Sequence, residues 1–93
     1  MKAIWNNEII AEAEQTLVVE GKHYFPQQAV KLEYLSPSDY CVECPIKGLA
    51  KYYSLEVSGK DLLNGAWYYP NPKEAAVQIT GYIAFSDEVQ IVE

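Results

Sequence analysis

Turn signals recur roughly every eight to twelve residues along this chain, the spacing of an all-β sandwich or barrel. Asn6-Asn7 separates residues 2–5 from 8–13 and suits a two-residue hairpin, because asparagine tolerates positive φ. Gly21-Lys22 ends a short run at 16–20 in which Leu17 and Val19 share a face. Ser58-Gly59 is another tight turn, and Asn64-Gly65 is either a second turn or a bulge. Ser86-Asp87-Glu88 divides residues 79–85 from 89–92. No segment offers the helix of about ten or more residues that a parallel crossover needs. The sheets are therefore expected to be antiparallel.

Hydrophobic period refines this reading. Val30, Leu32 and Tyr34 alternate with Lys31 and Glu33, the period-2 pattern of a half-buried strand, and Ser36-Pro37-Ser38-Asp39 is expected to break it. Residues 49–57 place Leu49, Tyr53, Leu55 and Val57 on one face, with Tyr52 and Ser54 on the other. Residues 66–69 are aromatic enough for a strand, which Pro70-Asn71-Pro72 stops by removing ladder donors. Pro72 followed by Glu74 favours one or two helical turns there. The 93 residues suffice for one core and not two, so a single domain over 1–93 is expected.

Charge and cysteine usage exclude several function classes. The net charge is −6, and all seven basic residues are lysines scattered along the chain. Nucleic-acid binding draws its affinity from clustered Lys and Arg on phosphates, and an anionic membrane surface asks for the same cluster. Neither partner is expected. The longest uncharged stretch, residues 75–86, falls well short of the roughly 20 residues of a membrane helix. The first residues contain no apolar signal core, and two cysteines make no disulfide framework, so a reducing cytoplasm is the expected location.

Three segments carry a resemblance: His23-Tyr24-Phe25-Pro26, Cys44-Pro45-Ile46-Lys47-Gly48-Leu49-Ala50-Lys51-Tyr52-Tyr53 and Ala66-Trp67-Tyr68-Tyr69-Pro70-Asn71-Pro72. With the closing Gly81-Tyr82-Ile83-Ala84-Phe85 they make the chain similar to a stand-alone member of the domain of unknown function 427 family. The resemblance covers nearly the whole length. It implies a compact, mainly β domain of a tent-like two-sheet kind and no established activity. The family is sometimes labelled nucleotidyltransferase-like.

The residues themselves weigh that label and its rivals. Nucleotidyl transfer needs closely placed carboxylates that hold metal ions. Glu12-Ala13-Glu14 puts two acids on one side of a strand, but no Gly-Ser turn precedes it, and solvated charge explains the pair. Lys47-Gly48 lacks the glycine before it and the hydroxyl residue after it that a phosphate-binding loop requires. Cys41-Val42-Glu43-Cys44 supplies half the ligands of a structural zinc, and the lone His23 does not complete them. A redox pair would normally open a helix, which Pro45 and the following strand oppose. No metal or other cofactor is expected.

Two site hypotheses remain, together with a structural one. Cys44 with His23 as base and Lys47 as neighbouring cation would make a thiol nucleophile. Against it, small cysteines often pack as apolar residues. Eight tyrosines and two tryptophans against two phenylalanines exceed what so short a core can absorb, and polar-tipped rings suit a binding cleft. The leading expectation is a small-molecule-binding module with a pocket formed by His23, Tyr24, Cys44, Lys47, Tyr52 and Tyr69. A homodimeric module joined through exposed aromatics is the third reading.

Overall fold

The computed structural model describes all of residues 1–93. Nine strands run in chain order as β1 (Lys2–Trp5), β2 (Glu8–Glu12), β3 (Leu17–Val19), β4 (Lys22–Pro26), β5 (Leu35–Cys44), β6 (Gly48–Val57), β7 (Lys60–Tyr68), β8 (Tyr82–Phe85) and β9 (Gln90–Val92). They form a small sheet of three strands in the order β2-β1-β9 and a large sheet of six in the order β3-β4-β8-β7-β6-β5. Every pairing is antiparallel. The helical content is confined to 3₁₀ turns at Gln27–Ala29, Leu32–Tyr34 and Glu74–Ile79. No helix is long and apolar enough to cross a membrane.

Three hairpins close on two residues that both take positive φ, the type I′ geometry that matches strand twist. They are Asn6-Asn7 (φ 50° and 65°), Glu20-Gly21 (53° and 79°) and Ser58-Gly59 (51° and 81°). Asn64-Gly65 resolves as a bulge within β7, not a turn. Tyr53 pairs with Ala66 and Leu55 with Leu62, so Ser54 alone faces the three residues between. Asn64 takes φ 56°, its amide donates to Ser54 Oγ at 3.0 Å, and its side-chain oxygen accepts from Ser38 Oγ at 2.5 Å. Gly65 is required here: a Cβ would stand 2.8 Å from Leu62 Cδ2.

The main core lies between the sheets. Ala3, Ile10 and Ala11 of the small sheet meet Phe25, Leu55, Val57, Ala66, Ile83 and Phe85 of the large one. Phe25 and Phe85 sit edge to face, 5.7 Å between ring centres. Burying each such side chain contributes about 1.5–3 kcal/mol.

Two strand expectations are corrected. Residues 30–34 are not a strand: Val30 makes one isolated bridge to Ala11, and Leu32–Tyr34 is a 3₁₀ turn. Val30, Tyr34 and Leu35 still reach the core, from a chain that turns a corner at its end. The strand proper, β5, begins at Leu35 and runs through Ser36-Pro37-Ser38-Asp39. It is an edge strand, where proline's missing donor costs no ladder bond, and a register shift between Pro37 and Cys41 absorbs the irregularity. The motif His23-Tyr24-Phe25-Pro26 forms most of β4, a strand without alternation because Tyr24 and Phe25 are buried on opposite faces.

Candidate functional site

The second face of the large sheet carries its own cluster. Tyr24, Ala50, Tyr69, Ala76, Ile79 and Ala84 are buried there. Leu17, Val19, Cys44, Tyr52, Trp67 and Tyr82 pack around them. Period-2 alternation puts them on one side: Trp67 lies opposite Tyr52 on β6 and opposite Ala84 on β8. The alanines leave room for the rings, and the 3₁₀ turn Glu74–Ile79 covers one end with Ala76 and Ile79.

This face is concave. Lys47, in the β5–β6 turn, forms an ion pair with Glu20, in the β3–β4 turn. In the strand order those two turns are separated by four spacings, about 19 Å across a flat sheet at roughly 4.8 Å each. The two side chains cannot span that gap, so the sheet curls until its edges approach. The same curl brings Leu17 and Val19 of β3 into the cluster that holds Cys44 of β5.

Hydrogen bonds and ring contacts order the cluster in two tiers. The deeper tier holds Tyr24, 2% exposed, and Tyr69, 7% exposed. Trp67 Nε1 donates to the Tyr24 hydroxyl at 3.2 Å. Burial, reinforced by Tyr24, Cys44 and Tyr52 close by, pushes the Tyr69 phenol up to about 12. The upper tier is a half-open row. Tyr40 meets Tyr52 edge to face at 4.9 Å, Tyr52 lies 5.9 Å from Trp67, and Lys22 Nζ stands 5.5 Å from the Trp67 ring centre. Burial raises the Tyr52 phenol, with Tyr40 and Tyr24 adding to the effect.

Cys44 closes the row at the end of β5. The Lys47 amide donates to its Sγ at 3.4 Å. That amide, followed by those of Ile46 and Gly48, holds the thiol below its usual range, against a smaller opposing effect of desolvation. The turn is braced from the Pro70–Pro72 side: Lys73 N donates to Lys47 O at 2.8 Å and Lys73 Nζ to Pro45 O at 2.9 Å. Gly48, at φ 108°, is needed for this approach, since a Cβ would lie 3.3 Å from Asn71 O.

Of the six residues expected to share a pocket, Tyr24, Cys44, Tyr52 and Tyr69 come together, with Lys47 at the rim. His23 does not. It neighbours Tyr24 on β4, so its ring points to the opposite face, where Nδ1 meets Thr16 Oγ1 at 2.7 Å. None of the four surface hollows is lined by Tyr24, Cys44, Tyr52, Trp67 or Tyr69. What the face presents is a platform. Cys41 and Cys44 are offset by three positions along β5 and point to opposite faces, about 10 Å apart along the strand. That separation excludes a bond between them without rebuilding the strand. Trp67, Lys22 and Tyr40 belong to the platform although motif reading did not single them out. Trp67 pairs across the strands with Tyr52, Tyr40 meets the Tyr52 ring and Lys22 stands over Trp67, contacts that become readable only once strand order is known.

The family model described as a domain of unknown function (DUF427) matches residues 1–93. The chain belongs to this family. No curated protein matches it. The DUF427 assignment specifies no activity. No three of the His, Cys, Asp and Glu residues gather in a way that could hold a metal ion, and Glu12 and Glu14 are exposed.

Proposed function

We propose that this chain is a small-molecule-binding module of the cytoplasm whose ligand lies on the row Tyr40, Tyr52, Trp67 and Lys22. The observation that carries the reading is the chemistry of the concave face: its large rings end in hydroxyl or indole N–H groups, linked from Trp67 to Tyr24. A flat ring with hydrogen-bond acceptors at its edge fits such a platform, stacking on the aromatic faces while the tips fix its orientation. Tyr24, Tyr69 and Cys44 support the platform from below, and Lys47 closes it against Glu20. Nucleic acid and membrane surfaces are poor partners, because the net charge is −6 and the seven lysines are scattered along the chain.

The test uses Trp5→Phe protein, so that Trp67 alone reports. A ligand of this class quenches or shifts its emission saturably and raises the melting temperature, and Tyr52→Ala abolishes both responses. Flat emission and flat melting across a library of aromatic metabolites, with bare protein in native mass spectrometry, would sink the proposal.

A second reading is favoured by Cys44 alone. Its amide cradle suits a thiolate, and a reducing compartment keeps both cysteines as free thiols. A thiol reaction would proceed without His23 as base, since that ring serves the other face. Self-association is the third reading: the outer edge of β5, with Tyr40 and Val42 exposed, is where a second copy would add. Light scattering that gives monomer mass at every concentration would remove it.

A further inference from the structure

The hollow on the His23 side has a chemistry of its own. It measures about 310 Å³, at the small end of ligand pockets. Phe85, Val89 and Ile91 supply its apolar wall. Lys22, His23, Ser86 and Asp87 supply its polar rim. Three features of that rim point to an occupant.

The Ser86 hydroxyl is buried and has no hydrogen-bond partner, an arrangement that is rare because the unmade bond is costly. The His23 ring is anchored through Nδ1 by Thr16, which leaves Nε2 as its remaining polar atom. Lys22 and Asp87 form an ion pair at the mouth, with the Lys22 side chain 33% and the Asp87 side chain 94% exposed, and a pair so exposed opens at little cost. The rim therefore offers one cation and one anion side by side, an unsatisfied hydroxyl behind them and an aliphatic wall beyond.

A simple anion would meet Asp87 in a molecule already at −6, and a simple cation would meet Lys22. A molecule with both charged groups attached to one carbon meets neither objection. We propose that this hollow binds a free α-amino acid with a short aliphatic side chain. Its carboxylate takes Lys22 and the Ser86 hydroxyl, its ammonium takes Asp87, and its side chain lies on Phe85, Val89 and Ile91. The site shares one residue with the aromatic platform. Lys22 is common to both, whereas Asp87 and Ser86 belong to the hollow alone.

The experiment is a titration of the ¹⁵N-labelled full chain with L-leucine, followed by amide shifts. Saturable shifts at Gly21, His23, Ser86 and Asp87 are expected. Asp87→Asn, at an exposed position that leaves the melting temperature unchanged, weakens binding by about tenfold or more. Ser86→Ala weakens it less. 4-Methylpentanoate, which lacks the ammonium, and 3-methylbutylamine, which lacks the carboxylate, each bind about tenfold more weakly than leucine. Absence of saturable shifts up to about 20 mM leucine overturns the proposal, that concentration being well beyond a useful affinity. So do shifts confined to other residues, or equal binding of leucine and 4-methylpentanoate. Tyr52→Ala, which removes the Trp67 response, lies outside the hollow and leaves the leucine shifts in place, so the two sites fail separately.

Discussion

The two faces of the large sheet are built from the same strands and differ in what ends their side chains. On the inner face Phe25, Leu55, Val57, Ile83 and Phe85 are buried against the small sheet, and none carries a polar atom. Tyrosines appear there only at the margin, where Tyr53 stacks on Tyr68 at 5.1 Å. On the concave face the large rings are Tyr24, Tyr52, Trp67 and Tyr69, with no phenylalanine among them. Phenylalanine would fill the same volume without desolvating hydroxyls, and burial makes Tyr69 and Tyr52 hold their protons more tightly. The concave face buries rings with polar tips, as in the bond from Trp67 to Tyr24, whereas the inner face is organised for density.

The largest expected effect tests that division directly. Phe25→Ala should lower the unfolding free energy by about 3–5 kcal/mol, since the fully buried ring leaves a cavity beside Phe85. Tyr24→Phe, one residue along the same strand, should cost only about 1 kcal/mol, the net worth of the bond that Trp67 donates. Denaturant unfolding of both variants measures the ratio. Equal losses would mean that the concave face carries as much of the stability as the core and would break the comparison.

Alkaline pH separates the faces next. The folded chain holds the Tyr69 proton more tightly than the unfolded chain, with a value of about 12 against an ordinary phenol near 10. Its contribution is therefore complete below about pH 10 and is lost as pH rises towards 12. Urea midpoints followed from pH 9 to 12 should fall more steeply for wild type than for Tyr69→Phe (a range set by those two values). Tyr52 and Tyr53, also raised by burial, leave a residual slope in the variant. Parallel curves would show that the Tyr69 phenol is wetter than its 7% exposure implies.

A reactivity measurement sharpens the chemistry of the concave rim. In Cys41→Ser protein, Cys44 should alkylate with iodoacetamide at a pH below the ordinary thiol midpoint of about 8.5, because the Lys47, Ile46 and Gly48 amides favour the thiolate. Gly48→Ala, which crowds Asn71 O, should move that midpoint back up while the inner core is untouched. An ordinary midpoint in the parent would dismiss the amide cradle.

How much of this was legible beforehand depends on whether the signal was local. The fold class came from turns, and Asn6-Asn7 and Ser58-Gly59 close hairpins where their φ preferences put them. The grouping of Tyr24, Cys44, Tyr52 and Tyr69 was reachable because each sits in a motif rich in polar-tipped rings. The exclusion of His23 was not, since β4 was not read as a strand: buried on both faces, it lacks the alternation that would have separated His23 from Tyr24. The strand expected at residues 30–34 failed for the converse reason. Its alternation is real, but only Val30 and Tyr34 reach the core, while Leu32 is exposed on a 3₁₀ turn. The curl that makes one face concave is a property of the whole sheet, betrayed only by Lys47 reaching Glu20, and no single segment encodes it.

The smallest effect lies where neither face is covered. Glu56 and Asp61 sit directly opposite each other across the β6–β7 hairpin, both exposed, and like charges in that register repel. Glu56→Lys replaces the repulsion with an attraction and should add about 0.2–1 kcal/mol, measured by thermal or urea unfolding. Screening assigns the cause: the gain should shrink from low salt to about 1 M, where the Debye length falls to roughly 3 Å. The pair belongs neither to the aromatic row nor to the hollow at Ser86 and Asp87, so ligand responses at either site should be unchanged. A gain that persists in high salt would trace the effect to lysine's longer stem packing on the hairpin and not to charge. A loss of stability would mean that the two carboxylates do not oppose each other in solution, and the register assigned to this end of the large sheet would have to shift.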